Sequence, residues 1–260
     1  MVDDVEGRAG TSRGTAPPII QYWHDGNPPD YVEALLTSFR DLNPEMPHLV
    51  FSEQEAEEFI ADHFTRRELN AFRACAVPAM QADYFRYCAA FALGGFWSDV
   101  DVRCVAPLEP LLPPPGGGHL FMGRQGVPIS SAFAFGSPGH PFPELALEIA
   151  TRNIERRLDA AVLLVTGPMI FISIVKLGEL GSLDAGVGTG VDGPYARVIR
   201  GHFEQMGGYA RVERALEGIE VDIFKHYLSF IRQVDEAELP YKRTGTHWTK
   251  AKGPLFRSTR

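Results

Sequence analysis

The chain is expected to be an α/β protein built around a mostly parallel sheet. Three observations point there: short β-type apolar runs alternate with stretches of helical periodicity, two capping-box signatures open successive helices, and Gly/Pro clusters mark the junctions.

In chain order, Ile19-Ile20-Gln21-Tyr22-Trp23 is a strand, stopped by the turn residues Asp25-Gly26-Asn27-Pro28-Pro29. From Tyr31, the apolar residues Val32, Leu35, Leu36, Phe39 and Leu42 recur at helical spacing until Asn43-Pro44. His48 to Phe51 is a second strand. Ser52 with Glu55, and Thr65 with Glu68, each provide a hydroxyl cap and a carboxylate three residues on, so two helices follow. Pro78 opens another, carrying Met80, Tyr84, Tyr87 and Phe91 to a stop at Gly94-Gly95. Phe96 to Val105 then reads as one strand, followed by a Pro/Gly-rich loop to Gly118. Further strands are expected near Leu120 to Met122 and Ile129 to Phe135, a helix from about Pro143 to Leu158, and another beginning near Gly167-Pro168. Gly181 to Pro194 reads as a Gly-rich loop and Ile219 to Phe224 as a late strand; there is no internal repeat.

The length of 260 residues, 45% of them hydrophobic, suits one domain over 17–260 behind a polar, disordered 1–16. No apolar run reaches the roughly 20 residues of a bilayer span, and no signal peptide is evident, so no transmembrane segment and a cytoplasmic location are expected. Cys75, Cys88 and Cys104 are odd in number and lack Cys-x-x-Cys spacing, which reads as buried free thiols. A net charge of -8 argues against a nucleic-acid partner. The stretch 241–260 nonetheless holds six basic residues (Lys242, Arg243, Lys250, Lys252, Arg257, Arg260) and no acidic one, a local patch able to meet a small anion.

The chemistry concentrates at Asp99-Val100-Asp101. On a strand, i and i+2 share a face, which would set two carboxylates roughly 7 Å apart, suited to Mg2+ or Mn2+ with positions left open for a diphosphate. An isolated Asp-x-Asp is common by chance; its setting is not. Asp83 and Arg86 lie one helical turn apart on the preceding helix, and the Gly-Gly stop leads directly into the acidic segment.

This unit, Ala82-Asp83-Tyr84-Phe85-Arg86-Tyr87 followed by Gly94-Gly95-Phe96-Trp97-Ser98-Asp99-Val100-Asp101, resembles the D-x-D sugar transferases of glycosyltransferase family 32 and, more distantly, the glucosylating clostridial toxins. The flanks match more loosely: Ile20 to Gly26, Pro138-Gly139-His140-Pro141, Thr166-Gly167-Pro168 and His247-Trp248. The resemblance implies a GT-A type nucleotide-sugar-binding fold and a metal-dependent hexosyltransferase acting with retention. It implies Asp99, Asp101 and His247 as metal ligands, and Asp83, Arg86 and Asp101 as catalytic residues. Tyr22, Trp23, Asp83, Arg86, Tyr87, Lys250 and Lys252 would bind the donor, Trp23 stacking on the base, and a UDP-sugar ranks ahead of a GDP-sugar. Trp97 stands where the family usually has Tyr. The acceptor could be a small metabolite, a glycan or a protein.

Plainer readings stand beside these. Asp83 and Arg86 could be a surface ion pair, which burial would decide, Trp23 could be core, and His247 structural. His140 before Pro141 reads as a turn rather than a catalyst. Two other classes use similar residues: an Asp-x-Asp phosphohydrolase or phosphotransferase, whose pair normally sits on the first strand, and a non-catalytic carbohydrate-binding module, which needs no nucleotide site.

Overall fold

The computed structural model describes residues 16–122, 128–180, 201–202, 205–223, 227–243 and 253–258. Residues 1–15 of the expected 1–16 tail, the Gly-rich loop at 181–194, His247, Lys250 and Lys252 lie outside these residues.

Strands β1 (Ile19–Tyr22), β2 (His48–Phe51), β3 (Gly95–Ser98), β5 (Gly118–Met122), β6 (Pro128–Phe135) and β7 (Ile219–Ile223) form one sheet in the order β2-β1-β3-β6-β5-β7. β1 runs parallel to both β2 and β3, and β5 parallel to β7, while β6 is antiparallel to β3 and β5. The sheet is therefore mixed and mostly parallel. β4 (Val102–Cys104) and β8 (Ile231–Gln233) make a separate antiparallel ribbon.

Both sheet faces are covered, and the period-two alternation of the strands sorts side chains between two cores. Ile20, Trp97, Phe133 and Phe135 face α4 (Pro78–Leu93), α5 (Pro141–Glu155) and α7 (Met169–Leu180). Ile19, Phe96, Ala132 and Ala134 face the other way, joining Phe39 of α1 (Asp30–Leu42) and the ribbon residues Val102, Cys104 and Ile231. Trp97 and Phe133 are register partners on neighbouring strands, with rings nearly parallel at 11°.

Both capping boxes form as expected, Ser52 opening α2 (Glu53–His63) and Thr65 opening α3 (Arg66–Ala74). α5 begins two residues earlier than its apolar pattern suggests, because the His140 ring accepts from the Phe142 backbone N–H and caps it. His140 is thus a turn residue. Two short elements, α6 (Val162–Val165) and α8 (Tyr209–Leu216), were not expected. The three cysteines are buried and unpaired, and among the described residues no helix is long and apolar enough to cross a membrane.

The expected single strand from Phe96 to Val105 is corrected. It breaks after Ser98, turns through Asp99–Asp101 and resumes in the ribbon. The reason lies outside local composition. The Asp99 carbonyl accepts from the Gln21 amide (3.3 Å) and the Ser98 hydroxyl (3.1 Å), which directs the backbone out of the sheet.

The Gly94-Gly95 stop is required by backbone geometry. Both residues have positive φ, 66° and 83°, and a Cβ on Gly95 would stand 2.3 Å from the Pro18 carbonyl oxygen. That close approach lets Phe96 N–H bond Pro18 O at 2.8 Å, bringing β3 beside β1.

Candidate active site

Because β1 and β3 are parallel, their carboxyl ends open on the same edge of the sheet, where ligands of open α/β folds commonly bind. A cleft of about 180 Å³ lies there. Tyr22, Trp23 and His24 enter it from the end of β1, and Trp97, Asp99, Val100 and Asp101 from the end of β3. Pro78, Ala79, Ala82 and Asp83 line it from the start of α4, and Val162, Leu163 and Pro168 close an apolar wall beside them. Tyr241 reaches it from the short 3-10 turn Pro240–Arg243.

Asp99 and Asp101 meet in this cleft from a turn, not as two positions on one strand face. Asp99 Oδ1 accepts from the Trp97 indole N–H at 3.1 Å. Burial, and then the like charge of Asp101, push the Asp99 carboxyl up to about 7, against the opposing pull of Arg86 and of the indole donor. Asp101 Oδ2 contacts the Lys242 ammonium at 2.6 Å, whereas its Oδ1 is buried with no hydrogen-bond partner among the described residues.

Asp83 pairs with Arg86 at 2.8 Å, and the Arg86 side chain is only 3% exposed, so the surface ion-pair alternative does not apply. Burial raises the Asp83 carboxyl; Arg86 and the more distant Thr166 hydroxyl (3.5 Å) counteract this. The Arg86 guanidinium lies over the rings of Tyr87 and Phe171, with its centre 5.1 and 5.9 Å from their centroids, and donates to the Tyr87 hydroxyl at 3.2 Å. Tyr87 is fully buried behind the cleft, its hydroxyl directed at the carbonyls of Thr166 (2.6 Å) and Gly167 (3.1 Å). Arg86 and Tyr87 therefore brace Asp83 and are not cleft-lining groups.

Trp23 is buried, meets Tyr241 edge-on at 5.3 Å, and has an indole N–H with no partner among the described residues. The Tyr22 hydroxyl donates to the Gln81 side chain at 3.2 Å. Three contributors were not singled out from sequence. Gln21 is a fully buried amide in β1, held by His48 at 2.7 Å, and polarity in a central strand was the available signal. Lys242 was visible only as part of a basic tail, and nothing in the sequence marked Tyr241.

Among the described residues, no group of three or more His, Cys, Asp and Glu side chains is arranged to hold a metal ion. The pair itself suits a hard divalent cation: the two carboxylates lie close enough that the charge of Asp101 raises the Asp99 carboxyl, and Asp101 Oδ1 is buried with no donor among the described residues.

The chain has a family match and partial relatives among known proteins. Residues 29–115, about a third of the chain, match the family described as glycosyltransferase sugar-binding region containing DXD motif. The chain is 30% identical over 185 residues to inositol phosphoceramide mannosyltransferase 3 of Schizosaccharomyces pombe, covering 67% of this chain and 49% of that protein. Over 158 residues it is 27% identical to inositol phosphoceramide mannosyltransferase 2 of the same yeast, covering 58% of this chain and 43% of that one. The chain thus matches less than half the length of these relatives. A solved structure, the PaToxG glycosyltransferase, aligns over 93% of this chain and 88% of its own with a TM-score of 0.43 and 13% identity. The unit bearing Asp83, Arg86, Asp99 and Asp101 falls within the matched segment, and the chain accordingly carries a DXD-motif sugar-binding region of glycosyltransferase type.

Proposed function

We propose that the protein is a metal-dependent glycosyltransferase of GT-A type that moves a sugar from a nucleotide-sugar donor to an acceptor hydroxyl with retention of configuration. The observation that carries the reading is the convergence of Trp23, Asp83, Asp99 and Asp101 on one cleft at the carboxyl ends of β1 and β3.

Asp99 and Asp101 would hold Mn2+ or Mg2+, whose charge stabilises the departing nucleoside diphosphate. Trp97 fixes the Asp99 carboxylate through its indole N–H. Trp23 offers an aromatic face to the base and an indole N–H, without a partner among the described residues, to an acceptor atom on the nucleoside. Asp83, oriented by Arg86, accepts from donor-sugar hydroxyls. The wall made by Ala79, Ala82, Val162, Leu163 and Pro168 limits water around the reacting centre, which favours transfer over hydrolysis.

The names of the fission yeast relatives favour including a mannosyl donor and an inositol-phosphate-bearing acceptor in the assay. The test is a panel of UDP- and GDP-sugars with Mn2+, scored for free nucleotide with and without acceptor. One donor should be consumed, and Asp101→Asn should lower the rate by about 100-fold or more. Absence of both turnover and nucleotide binding across the panel would overturn the proposal. A phosphoaspartate trap is expected to stay empty, separating the reading from phosphohydrolase chemistry.

A further inference from the structure

Lys242 is a partly buried charge that reaches the cleft residue Asp101. Its side chain is 14% exposed, and Nζ lies 2.6 Å from Oδ2 of Asp101, itself 24% exposed. The 3-10 turn that delivers it is held at its base by buried Leu239, whose carbonyl accepts the Lys242 backbone N–H at 3.0 Å. Tyr241 beside it packs on Trp23. The turn that carries the ammonium is thus held from two directions, with Nζ on Asp101.

The Lys242 ammonium contacts only one of the two carboxylates among the described residues, and Asp101 Oδ1 is buried with no donor among them. A divalent ion seated on the same carboxylate would bring like charge within a few ångström of Nζ, so the two cations oppose each other at this site. Lysine, a point charge on a flexible four-carbon stem, can leave one oxygen for another nearby without backbone movement.

We propose that Lys242 is the resident counter-ion of the acid pair, competes with the divalent cation for Asp101, and on loading passes its ammonium to the donor diphosphate. This rests on Asp99 and Asp101 being the cation's ligands. Lys242 then acts twice: it stabilises the metal-free site, and it adds positive charge where negative charge develops as the donor bond breaks.

Calorimetric titration of Mn2+ alone into metal-free protein, followed by UDP or GDP at saturating Mn2+, tests both halves. Lys242→Met should bind Mn2+ about tenfold more tightly and the nucleotide about tenfold more weakly than wild type, since one competing charge is gone from the first equilibrium and one attractive charge from the second. Lys242→Arg should stay near wild type in both. A purely structural lysine would not move the two affinities in opposite directions. Unchanged or weaker Mn2+ binding by Lys242→Met, with unfolding temperature preserved, overturns the proposal, as does unchanged nucleotide binding. Asp101→Asn separates the levels: if it binds Mn2+ like wild type, the metal-ligand reading fails; if it does not and Lys242→Met shows no shift, only the role of Lys242 fails.

Discussion

The indole N–H of Trp97 donates to Oδ1 of Asp99 across 3.1 Å, so the aromatic residue near the end of β3 aims the first acid of the pair. Trp97 is itself fixed, stacked on Phe133 and edge-on to Phe85. Trp97→Phe keeps this packing and deletes the donor. The expected result is Mn2+ affinity and donor turnover reduced by about tenfold, with an unfolding temperature close to wild type. A variant with full Mn2+ affinity would sink the orienting role.

The Asp99 carboxyl gives a pH signature in metal-free protein. Its folded-state value, about 7, exceeds the ordinary carboxylate value near 4. Between these limits the folded state holds a proton that the unfolded state has lost, so the stabilising contribution is complete at low pH and disappears as pH rises through 7. Asp99→Asn cannot ionise. In EDTA its unfolding temperature should gain on wild type between pH 5 and pH 8, by several degrees at the upper end. A difference independent of pH would show that Asp99 titrates normally.

Removing Arg86 strands a carboxylate. Because the Asp83–Arg86 pair is largely buried, Arg86→Met should destabilise the fold by about 3 kcal/mol, in the range for breaking a buried ion pair from one side. The double variant Asp83→Asn/Arg86→Met should recover part of that loss, because no uncompensated charge remains. Urea unfolding of the two single variants and the double measures the coupling; strict additivity would contradict a direct interaction.

Trp23 is tested by nucleotide binding. Base stacking on an aromatic side chain is worth about 1–3 kcal/mol, so Trp23→Ala should weaken UDP or GDP binding by about tenfold or more. Trp23→Phe, which keeps an aromatic face but loses the N–H, should recover most of it. Equal affinities for wild type and Trp23→Ala, measured by calorimetry, would leave Trp23 as core alone.

Much of the scaffold was legible because the signals were local. Val32, Leu35, Leu36 and Phe39 are buried along one face of α1, and the Ser52/Glu55 and Thr65/Glu68 pairs make the reciprocal bonds their spacing implies. The break after Ser98 was not legible, because the run through Val100, Val102 and Val105 keeps a β-type composition while Gln21, distant in sequence, diverts the backbone. α8 was missed although Val212 and Ala215 are both buried on its inner side; its eight residues give little periodicity to recognise. At the site, Trp23, Asp83, Asp99 and Asp101 line one cleft. The partner of Lys242 could not be read from a basic tail, since the contact joins two turns far apart in the chain.

The break in that strand also decides what governs the gap between the two acids. Asp99 is moored to the central sheet, whereas Asp101 leads into the ribbon, whose Cys104 N–H is tethered to the Ser38 hydroxyl of α1 at 3.0 Å and whose Val102 packs with Phe39. Tilting α1 would therefore spread or pinch the two oxygens without altering either acid. On the proposed reading of the pair as cation ligands, ions differing by a few tenths of an ångström in preferred oxygen distance, such as Mg2+ and Ca2+, would feel that adjustment. An engineer retuning ion preference would begin at Ser38 and Phe39, on the far side of the sheet.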